Sequence, residues 1–265
     1  MSKTAAITCF FNFDRSSNNL DNFIEFKESI EKQNIPLFVI EITAEGIVPV
    51  LRRFCNRDRY LAAKTIVPIL IKGNALNVLS SRVPKEYQNI AWLNCDTIIK
   101  NENWAEEAEK LLDNCRLVKV GKDSCYESPM VARRDFFEAV GLFDHDFCGN
   151  SNLVTFLSAT NANLLQECED LLNLYQSNNP EIFYKILSYR QDCYNYFNEE
   201  VSYLDSTIDT PPNPKPYSVE QSIKLLEHIS VSDNIHYSGI HNLIAVKNIF
   251  ELNYSTELIN LINKV

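Results

Sequence analysis

The stretch NIAWLNCDTIIKNENWAEEAEKLL, Asn89 to Leu112, runs an apolar segment into Asn-Cys-Asp and then into an amphipathic pattern. Ile90–Leu93 reads as a buried strand, and Asn103 reads as the N-cap of a helix with Glu106 at its third position, a variant of the capping box. A strand, a polar turn and a helix in that order put Asn94, Cys95 and Asp96 where a sheet edge ends. Working outward, Ala5–Phe11 is a β-branched and aromatic run ending at Asn12. Leu20, Phe23, Ile24 and Ile30 recur at helical spacing behind the cap candidates Asn18 and Asn19, and Ile35–Ile42 reads as a second buried strand. That strand–helix–strand unit predicts a parallel pair. A basic segment, a helix around Ala75–Ser81, a strand over Arg116–Gly121 and a short helix over Arg133–Gly141 continue the alternation, with Gly141 in the usual stop position.

The chain has 265 residues, 45% hydrophobic and 23% charged, enough to bury a substantial core. From Asn152 the pattern becomes largely helical, over 152–160, 163–176 and 180–197. The stiff loop Pro211–Pro216 then precedes further helical stretches around Ser218–His228 and Glu251–Asn263. The expected organisation is a strand-and-helix region over 1–150 and a mainly helical region over 151–265. No apolar run approaches the roughly 18 residues of a membrane span, and the N-terminal run lacks a cleavage site. Eight scattered cysteines without a C-x-x-C pair fit reduced, buried thiols, so a cytoplasmic protein with no transmembrane segment is expected. A formal net charge of −10 argues against nucleic acid as a partner.

Six glycines, at 46, 73, 121, 141, 149 and 239, leave no G-x-G-x-x-G and no Walker loop. An α/β protein without such a loop commonly neutralises a diphosphate with a divalent cation held by carboxylates. Arginine forks are the alternative, and Arg52, Arg53, Arg57, Arg59, Lys64 and Lys72 form a basic window containing one acid, Asp58. The same window also reads as a solvated helix face.

Three segments carry a family likeness. TCFFN with NNLDNFIEF, then IKGNALNVLSSRVPKEYQNIAWLNCDTIIKNENWAEEA, then SPMVARRDFFEAVGLFDHDFCGNS together resemble the GT-A nucleotide-sugar glycosyltransferases, in particular the family-2-like group, over roughly residues 5–160. The resemblance implies a GT-A-like α/β fold: a mixed, mainly parallel sheet flanked by helices, with a mainly helical C-terminal region. It implies transfer of a sugar from a nucleoside diphosphate donor to a hydroxyl on a glycan, lipid or protein acceptor. The second function class is a catalytically inactive module of the same fold that binds nucleotide sugars or proteins.

The family's D-x-D appears as Asn94-Cys95-Asp96, its Lys-Glu as Lys72-Gly73, and its G-G-D as Gly149-Asn150-Ser151, and its downstream metal histidine has no counterpart in 201–210. Each departure removes a metal ligand or an acid. The resemblance therefore implies a degenerate site in which Asp96 is the metal ligand for a weakly bound Mn²⁺ or Mg²⁺, while Asn12, Lys72, Asn94 and Asp96 face the nucleotide sugar and Asp144 or Asp146 is the base. Arg57, from the basic window, is the arginine candidate for the diphosphate. Each has a plainer reading: Asn12 as a turn residue, Asp96 as an Asx turn, and Asp144 and Asp146 as loop residues. Trp92 and Trp104 read as core.

Overall fold

The computed structural model describes residues 3–13, 17–44, 46–65, 72–121, 128–144, 151–160 and 180–209. The helices expected over 163–176, 218–228 and 251–263, the Pro211–Pro216 loop, and the candidates His145, Asp146, His236 and His241 lie outside those residues.

In chain order the elements are β1 (Thr4–Asn12), α1 (Ser17–Lys32), β2 (Leu37–Ala44), β3 (Tyr60–Thr65), α2 (Lys72–Ser80), β4 (Asn89–Asn94) and β5 (Ile98–Ile99). They continue with α3 (Trp104–Leu111), β6 (Leu117–Val120), β7 (Met130–Arg133), α4 (Arg134–Ala139), α5 (Ser151–Ala159), α6 (Pro180–Phe197), β8 (Val201–Leu204) and β9 (Ile208–Asp209). Seven strands form one sheet in the order β3-β2-β1-β4-β7-β6-β8, and β5 pairs with β9 in a separate ribbon. Among the described strands of the seven-stranded sheet, β1 is parallel to both β2 and β4, β2 is parallel to β3, β6 is parallel to β8, and β7 runs against both of its neighbours, while in the ribbon β5 and β9 pair antiparallel. The mixed, mainly parallel sheet flanked by helices is thus present.

A sheet covered on both faces must be apolar on both sides of each central strand. β1 meets this with Ala5, Ile7 and Cys9 on one face and Ala6 and Phe10 on the other. β4 does the same with Ile90 and Trp92 against Ala91 and Leu93. The first face is covered by α2, α4, α5 and α6, through residues such as Leu76, Phe136, Leu157 and Phe197. The second is covered by α1 and α3, through Phe23, Phe26, Ile30, Trp104 and Ala108. Trp92 and Trp104 are fully buried, one in each core. Residues 151–160 and 180–209 build onto the same assembly, since α5 and α6 complete the first core and β8 extends the sheet.

Three local expectations are corrected. Asn103 makes no side-chain cap. Asn101 takes that place, accepting from the Asn103 amide at 2.9 Å and donating to Glu107 at 2.9 Å, so the link bypasses Glu106. Helix α1 begins at Ser17, ahead of Asn18 and Asn19, and α2 begins at Lys72 rather than near Ala75. The strands β3, β7 and β8 were not expected. Gly141, with φ +75°, does end α4, its amide reaching the Phe136 carbonyl at 2.9 Å.

The five described cysteines are free thiols. Burial pushes Cys193 and Cys95 up to about 12 and Cys55 up to about 11. The folded chain holds these protons where the unfolded chain, with ordinary thiols, releases them. Stability contributed this way is fully present below about pH 8.5 and is lost as pH rises toward 11 to 12, at about 1.4 kcal/mol per pH unit for each of the more deeply buried thiols, Cys193 and Cys95. Urea unfolding midpoints should therefore fall steadily from pH 8.5 to 11. A flat profile over that range would contradict the burial of these thiols.

Candidate functional site

The chain steps from β1 to β2 to β3 in one direction and then crosses back to place β4 on the other side of β1. Such a reversal opens a crevice at the C-terminal ends of the two strands beside it, here β1 and β4, and ligands of open α/β sheets collect there. Asn12 is the last residue of β1 and Asn94 the last of β4, with Cys9 opposite Asn94 in the parallel register.

Lys72, in the first turn of α2, lies under the first face of the sheet with only 8% of its surface exposed. Its ammonium donates to Asn94 Oδ1. It also lies close enough to Cys9 and Cys95 to favour their thiolates. Burial dominates at both, however: Cys9 is held well above the usual thiol range, and Cys95 is raised by burial and then by the Asp96 carboxylate. Lys72, Asn94, Cys95 and Asp96 therefore form one cluster at the end of β4. The turn itself is closed by the backbone, from the Thr97 amide to the Asn94 carbonyl at 3.3 Å, and Asp96 is buried. A cavity of about 370 Å³ opens beside Asp96, lined also by Asn22, Glu25, Lys100 and Asp209. A larger one, about 1150 Å³, lies between α1 and α3 at the opposite ends of the strands, near Lys3, Glu28, Lys32 and Asn89. Strand direction rather than volume locates the candidate site.

Asn12 belongs to a different network. Its Nδ2 donates to Glu41 Oε1 at 2.8 Å and reaches the Val48 carbonyl at 3.5 Å. Glu41 is completely buried in β2, and its carboxylate also accepts from the amides of Val50 at 2.8 Å and Leu51 at 3.0 Å and from the Tyr60 hydroxyl at 2.6 Å. Burial, with the hydrogen bond to Glu41, holds the Tyr60 phenol well above its ordinary value. Four donors make a buried carboxylate tolerable and tie the segment after β2 across the strand ends. The sequence reading missed Glu41, although a lone acid inside the apolar run LFVIEITA was a signal.

The structure does not bring Arg57 to this cluster. Arg57 is exposed on a 3₁₀ turn leading into the N-terminal end of β3, whereas Lys72 and Asn94 sit where strands leave the sheet. The basic window divides because β3 runs the length of the sheet between its two halves. Asp144 is half-buried on the loop after α4. The motif arginines are structural. Arg134 donates to the carbonyls of Tyr87, Val83 and Pro84 at 2.8, 3.1 and 2.6 Å, and Arg133 donates to Leu112 O at 2.6 Å.

Among the described residues no group of three His, Cys, Asp or Glu side chains is arranged to hold a metal ion. Asp96 is a single carboxylate, and the Asn94 oxygen already faces an ammonium. This donor set does not fit a divalent cation held by protein ligands alone.

No family model and no curated protein matches the chain. Solved structures similar to it include TarS residues 1–349 of S. aureus, at 10% identity over 98% of this chain and 77% of that one, TM-score 0.47. They also include the mannosyltransferase PcManGT of Pyrobaculum calidifontis in complex with GDP-Man and Mn²⁺, at 9% identity over 99% and 73%, TM-score 0.48. A third is the catalytic domain of Drosophila beta1,4-galactosyltransferase 7, at 11% identity over 90% and 84%, TM-score 0.42. Identities near 10% and TM-scores below 0.5 leave every assignment to the chain's own residues.

Glu41→Ala removes the acceptor for four donors and should destabilise the fold by about 3 kcal/mol or more, against about 1 kcal/mol for Tyr60→Phe. Denaturant midpoints of the two variants decide the matter. Equal small losses would mean that Glu41 does not hold the segment.

Proposed function

We propose that the chain binds a nucleoside diphosphate sugar at the C-terminal ends of β1 and β4 and transfers the sugar to a hydroxyl acceptor. The observation that carries the reading is the Lys72 ammonium, buried and directed by Asn94 at the switch point of the sheet. A buried cation at that position is suited to a diphosphate, and it offsets the charge that develops when the bond from the anomeric carbon to the phosphate oxygen breaks. The acceptor oxygen forms the new bond to that carbon, and its proton passes to a carboxylate, for which Asp144 and Asp146 are the candidates. Asp96 takes a ribose hydroxyl or a phosphate-bound cation. Asn12 acts from beneath, through Glu41 and the Val48 carbonyl, by holding the segment that crosses the strand ends.

Mn²⁺ or Mg²⁺ then adds only modestly to binding, because the ligand's own phosphates supply most of its oxygens. The free thiols agree with a cytoplasmic setting, and among the described residues no helix is long and apolar enough to cross a membrane. A second reading, a binding module without turnover, is favoured by one observation: where the family pairs two carboxylates, this chain has a neutral amide in contact with a lysine.

Calorimetric titration with UDP and GDP, with and without chelator, tests the proposal. Binding should persist on chelation with only a few-fold loss, Lys72→Met should weaken it about tenfold or more, and Asp96→Ala should weaken it without unfolding the chain. Asn94→Asp restores a second carboxylate and should raise the metal dependence. Loss of all nucleotide binding on chelation would overturn the metal-poor reading. Binding without hydrolysis of any donor sugar would select the inactive module.

A further inference from the structure

Asn77 lies on α2, five residues after Lys72, and grips the loop after α4 by both of its polar atoms. Its Nδ2 donates to the Leu142 carbonyl at 2.8 Å, and its Oδ1 accepts from the Leu142 amide at 2.8 Å. The contact leaves no room at the preceding residue: a Cβ on Gly141 would stand 2.9 Å from Asn77 Oδ1, and Gly141 already has φ +75°. From the other side Tyr189 of α6 donates to the Gly141 carbonyl at 2.9 Å, lies 2.8 Å from the Thr155 hydroxyl, and packs its ring 5.3 Å from that of Phe143. The residue that follows Phe143 is Asp144.

A side-chain amide that pairs with both the N–H and the C=O of one residue mimics a strand partner and fixes that residue's position and orientation. Five residues of helix correspond to a rise of about 7.5 Å. Helix α2 therefore carries at one end the cation assigned to the diphosphate and, about a turn and a half later, the clamp on the loop that bears the candidate base. We propose that Asn77 is a positioning residue: it sets the Leu142–Asp144 segment at a fixed distance from Lys72, so that the acceptor-side carboxylate and the diphosphate are held by one rigid helix. The inference rests on the transferase reading and adds to it the device that couples the two halves of the site.

The test compares Asn77→Ala, Gly141→Ala and the double variant in three measurements: UDP or GDP affinity, kcat and KM for donor hydrolysis or transfer, and hydrogen exchange at the Leu142 amide. Asn77→Ala should leave nucleotide affinity and donor KM within about twofold, lower kcat by about ten- to a hundredfold, and speed Leu142 exchange at least about tenfold while β1 and β4 stay protected. Gly141→Ala breaks the same contact from the loop side and should act alike, so a failure of Asn77→Ala to fold does not remove the test. The double variant should be no slower than the worse single one, because both remove one contact. If the unsubstituted protein turns over donor and Asn77→Ala keeps its kcat, the role of Asn77 falls while the transferase reading stands. If kcat and nucleotide affinity drop together, the residue is merely structural and the proposal is overturned. If the unsubstituted protein binds nucleotide but turns over no donor, the transferase reading falls and takes the catalytic role of Asn77 with it, whatever the exchange rates show.

Discussion

The parallel pairing of β1 with β2 on one side and β4 on the other is the constraint on which the structure depends. It consumes the backbone hydrogen-bonding groups along both edges of β1 and leaves its side chains between two cores, so nothing along its length can be polar without an internal partner. Thr8 shows the rule, its hydroxyl donating to the Leu93 carbonyl at 2.9 Å. Asn12 shows it again at the strand end, where the partner is Glu41. Because both helices and loops must attach to this one strand from opposite faces, the crevice of the switch point can lie only past its end.

At that end the two faces carry different electrostatics. On the α1 side the carboxylate of Glu41 is surrounded by four donors. On the α2 side the ammonium of Lys72 meets the amide oxygen of Asn94. A carboxylate saturated by donors is part of the fold, since its charge is balanced by dipoles already fixed in place. The ammonium of Lys72 meets a neutral amide oxygen in a cluster that also holds Asp96. The paired arginines at 133 and 134 bear on carbonyls of neighbouring loops, so their charge goes into joining β4, α2 and α3 to the strand β7 rather than into the crevice.

Much of this was legible in the sequence where burial alone decides the outcome. The continuous apolar runs AAITCFF and IPLFVIEI gave strands buried on both faces, and the helical spacing of Leu20, Phe23, Ile24 and Ile30 gave a helix in which Phe23 and Ile30 are fully buried and Leu20 and Ile24 partly so. Strand β3 was hidden because YLAAKT alternates weakly within a basic segment, and it is specified by pairing with β2 rather than by its own pattern. Strand β8 was hidden for the same reason, since its partner Leu117–Val120 lies 84 residues earlier in the chain. In the candidate site, the strand-end position of Asn94 and Asp96 followed from the pattern. The separation of Arg57 from Lys72 did not, because it depends on which way β3 runs. Glu41 and Asn77 escaped notice because their roles are made of backbone partners, and a sequence does not display which amides and carbonyls a fold brings to a side chain.

The difference between a charged residue that builds the fold and one that faces a ligand therefore turns on what meets it. Glu41 lies in the middle of an apolar strand, where an unpaired carboxylate would be costly, and every donor around it comes from this chain. A divalent cation there would have to displace bonds that hold the segment after β2. Lys72 lies at a helix start and a strand end, two places where backbone groups remain to be satisfied from outside. At the same edge of one sheet Glu41 is thus satisfied by donors of the fold, while Lys72 meets the Asn94 oxygen in a cluster that also holds Asp96. Lys72 and Asn94 therefore act as a unit at the end of β4, the amide oxygen fixing where the ammonium stands.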